Sequence, residues 1–301
     1  MDSKRLGRGL FRQTAFWFLL PAILALVFVL IYPISYGISM SFTNRFFTYA
    51  NYGYVGLQNF VTILHDPLFI KALANSLKFA VYVIVFDTLV GFGLALLLNS
   101  AGNHNPIFRV IFFIPWILPS VVVAFAFRWL YNDTYGLINY LMLKWQLLET
   151  AVNPLARQEL VWGGIILPEV WFSYAFVMLV FAAALKSINP NIYEAARIDG
   201  ANRWQMFTNI TLPALKSTFI MVTILQLVWE IASFDIIWLM TKGGPGNATL
   251  TLSLYIYKLA FEFKKTGYAC AVATSMFLML VVLIVCSFML VRYGDRYDEK
   301  T

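Results

Sequence analysis

The sequence predicts an all-α integral membrane protein with six transmembrane helices, and three observations carry that prediction. Hydrophobic residues make up 60% of the 301-residue chain and charged residues only 12%, and mean hydropathy is +0.73. A soluble domain carries about 25% charged residues, so this chain lacks the charge to cover a water-facing surface. Apolar stretches of about 20 residues, the length that crosses a bilayer core, recur six times. The charges gather at the ends of those stretches and in the connections between them. A soluble enzyme, a secreted disulfide scaffold and a disordered tail are thereby excluded.

Each span has its own justification. The first, from about Thr14 to Ile34, follows Lys4, Arg5, Arg8 and Arg12. It is longer than the 7–15 residues of a signal-peptide core and no small-x-small cleavage site follows it closely. It therefore reads as an uncleaved span with residues 1–14 in the cytoplasm. The second, Leu77–Leu98, carries Gly91, Gly93 and Ala95, small residues that permit close helix packing. The third, Phe108–Leu130, contains Pro115 and Pro119, which would kink it and free carbonyls. The fourth is Trp162–Leu185, the fifth Thr218–Met240 and the sixth Tyr268–Tyr293. Residues 15–293 thus form one transmembrane domain, and an even number of spans returns a tail, 294–301, to the cytoplasm. The excess of Lys and Arg on the cytoplasmic side is small overall and strongest at the N-terminus.

The net charge of +7 suggests no nucleic acid, because no basic stripe with interleaved aromatics accompanies it. Cys270 and Cys286 fall on one helical stretch about 24 Å apart and cannot pair with each other.

The inner connection 186–217 is the most informative segment. Asn189 is a helix cap and Pro190 suits the first helical position. Glu194, Ala195, Ala196 and Arg197 favour helix. Asp199-Gly200 ends it, with glycine free to take positive φ. Asn202 and Gln205 then have the spacing of a capping box opening a second helix, and Leu212-Pro213 precede the fifth span. The segment reads as helix, turn, helix outside the bilayer. One account is an amphipathic loop resting on headgroups. The other is a docking element, in which the Ala195-Ala196 pair lets a partner approach the backbone and Glu194, Arg197 and Asp199 supply polar contacts.

Ionisable groups inside spans are costly and mark candidate sites. Asp87, Glu169, Glu230 and Asp235 fall in or near spans. In the fifth span, spacing of three to four places Gln226, Glu230 and Ser233 on one side and Asp235 with Trp238 on another. The fourth offers Glu169, Trp171, Ser173 and Tyr174. Hydrogen-bonding groups beside aromatic faces suit a sugar, whose ring presents C–H faces and hydroxyls. Glu169, Trp171, Tyr174, Glu230, Ser233, Asp235 and Trp238 are therefore the candidate cargo residues. The same acids could instead bond neighbouring helices, and the tryptophans could belong to interfacial belts. Asp87 is expected to make a helix–helix bond.

Glu194-Ala195-Ala196, Gly200, Ile210 and Leu212-Pro213 match the EAA loop of permease subunits of binding-protein-dependent ABC importers. Over residues 15–295 the chain resembles that family. Tyr54-Val55-Gly56-Leu57-Gln58-Asn59-Phe60, Asp66-Pro67, Pro115, Pro119, Thr241 and Gly243-Gly244-Pro245 look like its sugar branch, related to the larger permease of the maltose transporter. The resemblance implies the type I importer fold in a bacterial or archaeal plasma membrane. It implies a second homologous permease in a heterodimer, two cytoplasmic ATPase subunits that bind ATP and Mg2+, and an extracytoplasmic solute-binding protein delivering a carbohydrate. Glu194, Ala195, Ala196, Asp199 and Gly200 become the residues coupling ATPase to permease, and the fifth span a place for cargo. The chain itself is expected to be non-catalytic and to hold no cofactor or metal.

Among its 17 glycines no G-x-x-x-x-G-K-[ST] phosphate loop occurs, no G-x-S-x-G elbow is present, and His65 and His104 sit in separate loops without an H-E-x-x-H motif. Polyamine or glycerol phosphate cargo remains as an alternative within the family. An ion-coupled secondary transporter, for which an inverted repeat would be expected, and a membrane-embedded enzyme remain outside it.

Overall fold

Residues 16–47, 52–100 and 106–298 are described in the computed structural model. Lys4, Arg5, Arg8, Arg12, His104 and residues 299–301 lie outside them. In chain order the helices are α1 (Phe16–Met40), α2 (Gln58–Leu64), α3 (Pro67–Ser100), α4 (Pro106–Ile117), α5 (Ser120–Leu130), α6 (Leu137–Lys144) and α7 (Val161–Ser187). They continue as α8 (Pro190–Ile198), α9 (Arg203–Ala214), α10 (Lys216–Ala232), α11 (Asp235–Thr241), α12 (Leu252–Tyr257) and α13 (Thr266–Asp298). Four of these, α1, α3, α7 and α13, are each long and apolar enough to span, and the number reaches six if each of the bent pairs α4–α5 and α9–α10 is one span. Helix α13 runs to Asp298, so the backbone of 294–298, expected as a tail, is helical.

The third span is sharper than a kink: α4 and α5 meet at 91°. Two prolines four residues apart account for it. Pro119 has no N–H to give the carbonyl of Pro115, its ring crowds that carbonyl, and it disfavours helix at Leu118. Pro119 itself is extended (φ −61°, ψ 137°) and starts α5. The fifth span departs from the expected continuous helix 218–240. Helix α10 stops at Ala232, Ser233 is extended (φ −57°, ψ 133°), and α11 begins at Asp235. No proline or glycine forces this break. The Asp235 carboxylate in the first turn of α11 complements the positive helix end there.

The chain divides into two units, one of residues up to His65 with Ile256–Phe277, the other Asp66–Tyr255 with the chain from Leu278. In the first, Asn59 Nδ2 donates to the carbonyls of Ser41 (2.8 Å) and Thr43 (2.9 Å). Phe47 N–H donates to Lys264 O and Gly267 N–H to Arg45 O, each at 2.8 Å. Thr43 O lies so close to Gly267 that a side chain there has no room. The Tyr54–Phe60 motif residues thus serve this loop structure.

In the second unit α3 packs along α7. A Cβ on Gly91 would lie 2.8 Å from Tyr174 O and 2.9 Å from Met178 N, so glycine is required for this approach. Ala95 is likewise buried in the core with Val177, Met178, Phe181, Leu185, Leu215 and Val222, whereas Gly93 faces open space. Phe181 and Phe219 pack at a tilt with ring centroids 4.4 Å apart. The connection after α11 is pinned to α3. Asn75 Nδ2 donates to Leu250 O (2.9 Å), Ser76 Oγ accepts from Leu252 N–H (2.8 Å), and Lys71 Nζ donates to Gly246 O (3.1 Å). Thr249 Oγ1 bonds Gly244 O (2.8 Å) and lies 2.8 Å from Thr241 Oγ1, which gives Thr241 and Gly244 a role within this turn.

Candidate functional site

Where both proline-bent and broken spans lose helical continuity, α7 closes a cavity of about 450 Å³. Trp116 and Ser120 line it from the α4–α5 bend, Glu169, Phe172, Ser173 and Phe176 from α7, and Gln226, Trp229, Glu230, Ser233 and Asp235 from α10 and the break after it. The break matters to the geometry. A straight helix places Asp235 away from Glu230, whereas the extended Ser233 brings both to one cavity.

The cavity has two chemical faces. Trp116, Phe176 and Trp229 form a continuous aromatic wall, with ring centroids 5.7 Å apart for Trp116–Phe176 and 4.9 Å for Phe176–Trp229. The other face is polar. Ser120 Oγ donates to Asp235 Oδ2 at 2.9 Å, bridging the third span to the fifth. Behind the wall, Gln226 Nε2 donates to buried Asp87 Oδ2 at 2.7 Å, the helix–helix bond expected of that acid. Ser173 Oγ is turned onto Glu169 O (2.7 Å). Glu169 and Glu230 are only 6% and 5% exposed, and the Oε2 of each, with Gln226 Oε1, has no hydrogen-bond partner among the described residues. A buried acceptor left this way costs about 1–3 kcal/mol, more for a charged group.

Of the seven candidate cargo residues, Glu169, Glu230, Ser233 and Asp235 line this cavity, and Trp171, Tyr174 and Trp238 do not. Trp171 packs on Phe127 at 5.7 Å, Tyr174 is buried beside Gly91, and Trp238 stacks on Phe234 at 5.7 Å. The aromatic surface comes instead from Trp116, Phe176 and Trp229. The prolines beside Trp116 were the available signal, and Trp229 immediately precedes Glu230. Phe172 and Phe176 carry no pattern that separates them from other α7 aromatics.

The connection 186–217 forms the expected helix–turn–helix. Asn189 Oδ1 accepts from Asn191 N–H (3.0 Å), and Gly200 has φ +82°. Ala201 N–H returns to Ala196 O at 2.9 Å. The Asn202–Gln205 capping box is complete, with bonds of 2.7 and 2.9 Å. Tyr193 Oη and Thr211 Oγ1, 2.9 Å apart, tie the two helices. Glu194, Ala195, Asp199 and Gly200 are exposed and Ala196 is half-buried. Beside them Ile198 is 86% and Trp204 70% exposed, large apolar groups that sequence reading had not singled out. Among the described residues no cluster of His, Cys, Asp or Glu could hold a metal.

Spans interrupted around a cavity, with an exposed helical elbow between α7 and α10, are features that suit a membrane transport subunit. Residues 87–297 match the family model of binding-protein-dependent transport system inner membrane components, and the chain belongs to that family. It is 33% identical to the multiple sugar-binding transport system permease protein MsmF of Streptococcus mutans, over 89% of this chain and 91% of the relative. It is 31% identical to the trehalose/maltose transport system permease protein MalF of Thermococcus litoralis, over 94% and 95%. A crystal structure of a bacterial ABC transporter that imports the acidic polysaccharide alginate superposes with TM-score 0.83 at 26% identity, covering 96% of this chain and 99% of that one. A second, in complex with an alginate pentasaccharide-bound periplasmic protein, gives 0.81 at 26% identity, covering 94% and 96%. The chain is thus a multi-pass membrane permease of a transport family rather than a member of a catalytic one.

Proposed function

We propose that this chain forms one half of the translocation pathway of an ATP-driven importer, and that its cargo is a carbohydrate handed over by an extracytoplasmic solute-binding protein. The observation that carries the reading is the cavity. An aromatic wall faces acceptors that lack donors, matching the C–H faces and hydroxyls of a sugar. Glu169, Glu230, Ser233 and Asp235 contact the cargo. The sugar transport named for MsmF and MalF supports the cargo class.

The other half of the pathway is a second, homologous permease. Two cytoplasmic ATPase subunits bind ATP and Mg2+, and this chain holds neither. Glu194, Ala195, Ala196, Asp199 and Gly200 dock on one ATPase, with Ile198 and Trp204 as apolar anchors at the same elbow. Both termini are cytoplasmic. Closure of the ATPases then moves the elbow, and the bent third and broken fifth spans transmit that movement to the cavity.

The test is purification of the tagged protein from its native membranes in mild detergent, identifying every chain recovered. A second six-span permease and an ATPase with a phosphate-binding loop are expected. Recovery of the intact chain alone, from vesicles that accumulate cargo on an ion gradient without ATP, would overturn the assignment in favour of secondary transport.

A further inference from the structure

How the elbow is fastened to the bundle follows from one widened turn, an inference that rests on the transport reading above. Helix α8 has nine residues, too few to hold together alone, and none of them is buried. Only Tyr193 and Ala196, three apart and so on one side, are half-buried, and the other seven are exposed. Tyr193 Oη reaches Thr211 Oγ1 at 2.9 Å. Among the described residues this is the one hydrogen bond between α8 and α9. Thr211 is 6% exposed, so water is poorly placed to replace Tyr193 if that bond opens.

Thr211 ends an unusual turn. Over Phe207–Thr211 helix α9 widens by one residue, and Leu212 N–H reaches back to Phe207 O. Pro213 follows, with no N–H to give Asn209 O. Single wide turns of this kind recur at functional sites. At the other end of the turn, the Phe207 ring centroid is 5.7 Å from that of exposed Trp204 and 6.3 Å from that of Phe92 on α3. Phe92 in turn packs on Phe181 of α7 (4.9 Å) and Phe219 of α10 (5.0 Å). One turn therefore carries both attachments. Thr211 holds the elbow, and Phe207 meets the aromatic core shared by α3, α7 and α10.

We propose that the wide turn Phe207–Thr211 is the joint between elbow and bundle, and that Tyr193 and Thr211 are its positioning residues. Neither lines the cavity. Their bond makes α8 and α9 move together, so a displacement of the elbow reaches α10 and the cavity it lines. Without the bond, α8 swings on the turn at Gly200 and the displacement is absorbed there.

The test needs no cargo. Ala232, exposed at the end of α10, lines the cavity and serves as the reporter. Ala232→Cys is made with Cys270→Ala and Cys286→Ala, and the complex is held in sealed vesicles loaded with or without ATP and vanadate. Impermeant sulfonatoethyl methanethiosulfonate is added on the extracytoplasmic side, and the mass added to this chain is timed. In this parent, trapped ATP should accelerate labelling. Tyr193→Phe, which removes only the hydroxyl, and Thr211→Val should each lower that acceleration about two- to tenfold, the weight of one net hydrogen bond in an equilibrium. The two together should lower it no further than either alone, because they remove the same bond. Thr211→Ser, which keeps the hydroxyl, should retain it. An acceleration indifferent to Tyr193→Phe, or losses that add in the double variant, overturns the joint. So does a loss that coincides with loss of the ATPase from the purified complex, since a joint transmits without holding the partner. No acceleration in the parent removes the transport reading itself, and the joint with it; a parent that responds beside variants that respond equally removes the joint alone.

Discussion

The contact between α3 and α7 gives a prediction with an internal control. Gly91 and Gly93 are two residues apart on one helix, and both lose backbone entropy there. Replacing either with alanine in a helix interior gains about 0.5–1 kcal/mol. Their surroundings differ. A Cβ on Gly93 meets nothing within 4 Å, so Gly93→Ala should keep that gain. A Cβ on Gly91 meets Tyr174 O at 2.8 Å, Val177 Cβ at 2.8 Å and Met178 N at 2.9 Å. Two of those atoms are backbone and cannot rotate away, so the helices must separate. Overpacking of this kind costs about 1–3 kcal/mol. The net expectation for Gly91→Ala is from near neutral to about 2.5 kcal/mol destabilising, and the gap between the two variants is the overpacking cost, about 1–3 kcal/mol. Reversible unfolding in mixed micelles with increasing dodecyl sulfate, followed by far-ultraviolet circular dichroism, measures both. Equal stability of the two variants, or Gly91→Ala the more stable, would refute the packing argument.

Three further outcomes follow. Gln226→Leu leaves Asp87 Oδ2 without its donor and should lower stability by about 1–3 kcal/mol in the same unfolding assay. Asn202→Ala removes one arm of the capping box and should destabilise the start of α9 by about 0.5–2 kcal/mol, seen as faster amide exchange confined to that helix. Glu230→Ala and Ser233→Ala should each lower transport at unchanged protein level, while Trp171→Phe and Trp238→Phe, outside the cavity, leave it near wild type; the reverse pattern in an uptake assay would move the site elsewhere.

What the sequence made legible depended on whether the cause was local. The elbow around Gly200 is written in residues that act on their own backbone. Asn189 and Asn202 cap, Pro190 opens, Gly200 turns, and the structure places all four in those roles. Four of the spans were equally legible because apolar length is a property of a single segment, whereas the third and fifth are each divided between two helices. The break at Ser233–Phe234 was not, since no residue there forbids helix. Its companion feature is a bond to Ser120, 115 residues away. The same distance effect misplaced the aromatics: period alone paired Trp238 with Asp235, whereas the cavity is lined by Trp229, ahead of the break, and by Trp116 from α4. Pro115 and Pro119 announced a bend but not its 91° size, which goes with the extended backbone of Pro119 between the two helices.

The central claim is that the exposed elbow around Gly200 sets the access of the cavity around Glu230. Ala232 is exposed and lines the cavity, so the direct test places Ala232→Cys in a chain carrying Cys270→Ala and Cys286→Ala and times, in sealed vesicles, the reaction of that thiol with a membrane-impermeant reagent added from the extracytoplasmic side. Trapping the proposed ATPase partners in an ATP-bound, closed state should accelerate labelling. Gly200→Pro, which forbids the φ of +82° at the elbow, should abolish that acceleration while ATP still binds. A labelling rate indifferent to nucleotide with Gly200 intact, or an acceleration that survives Gly200→Pro, would contradict the account.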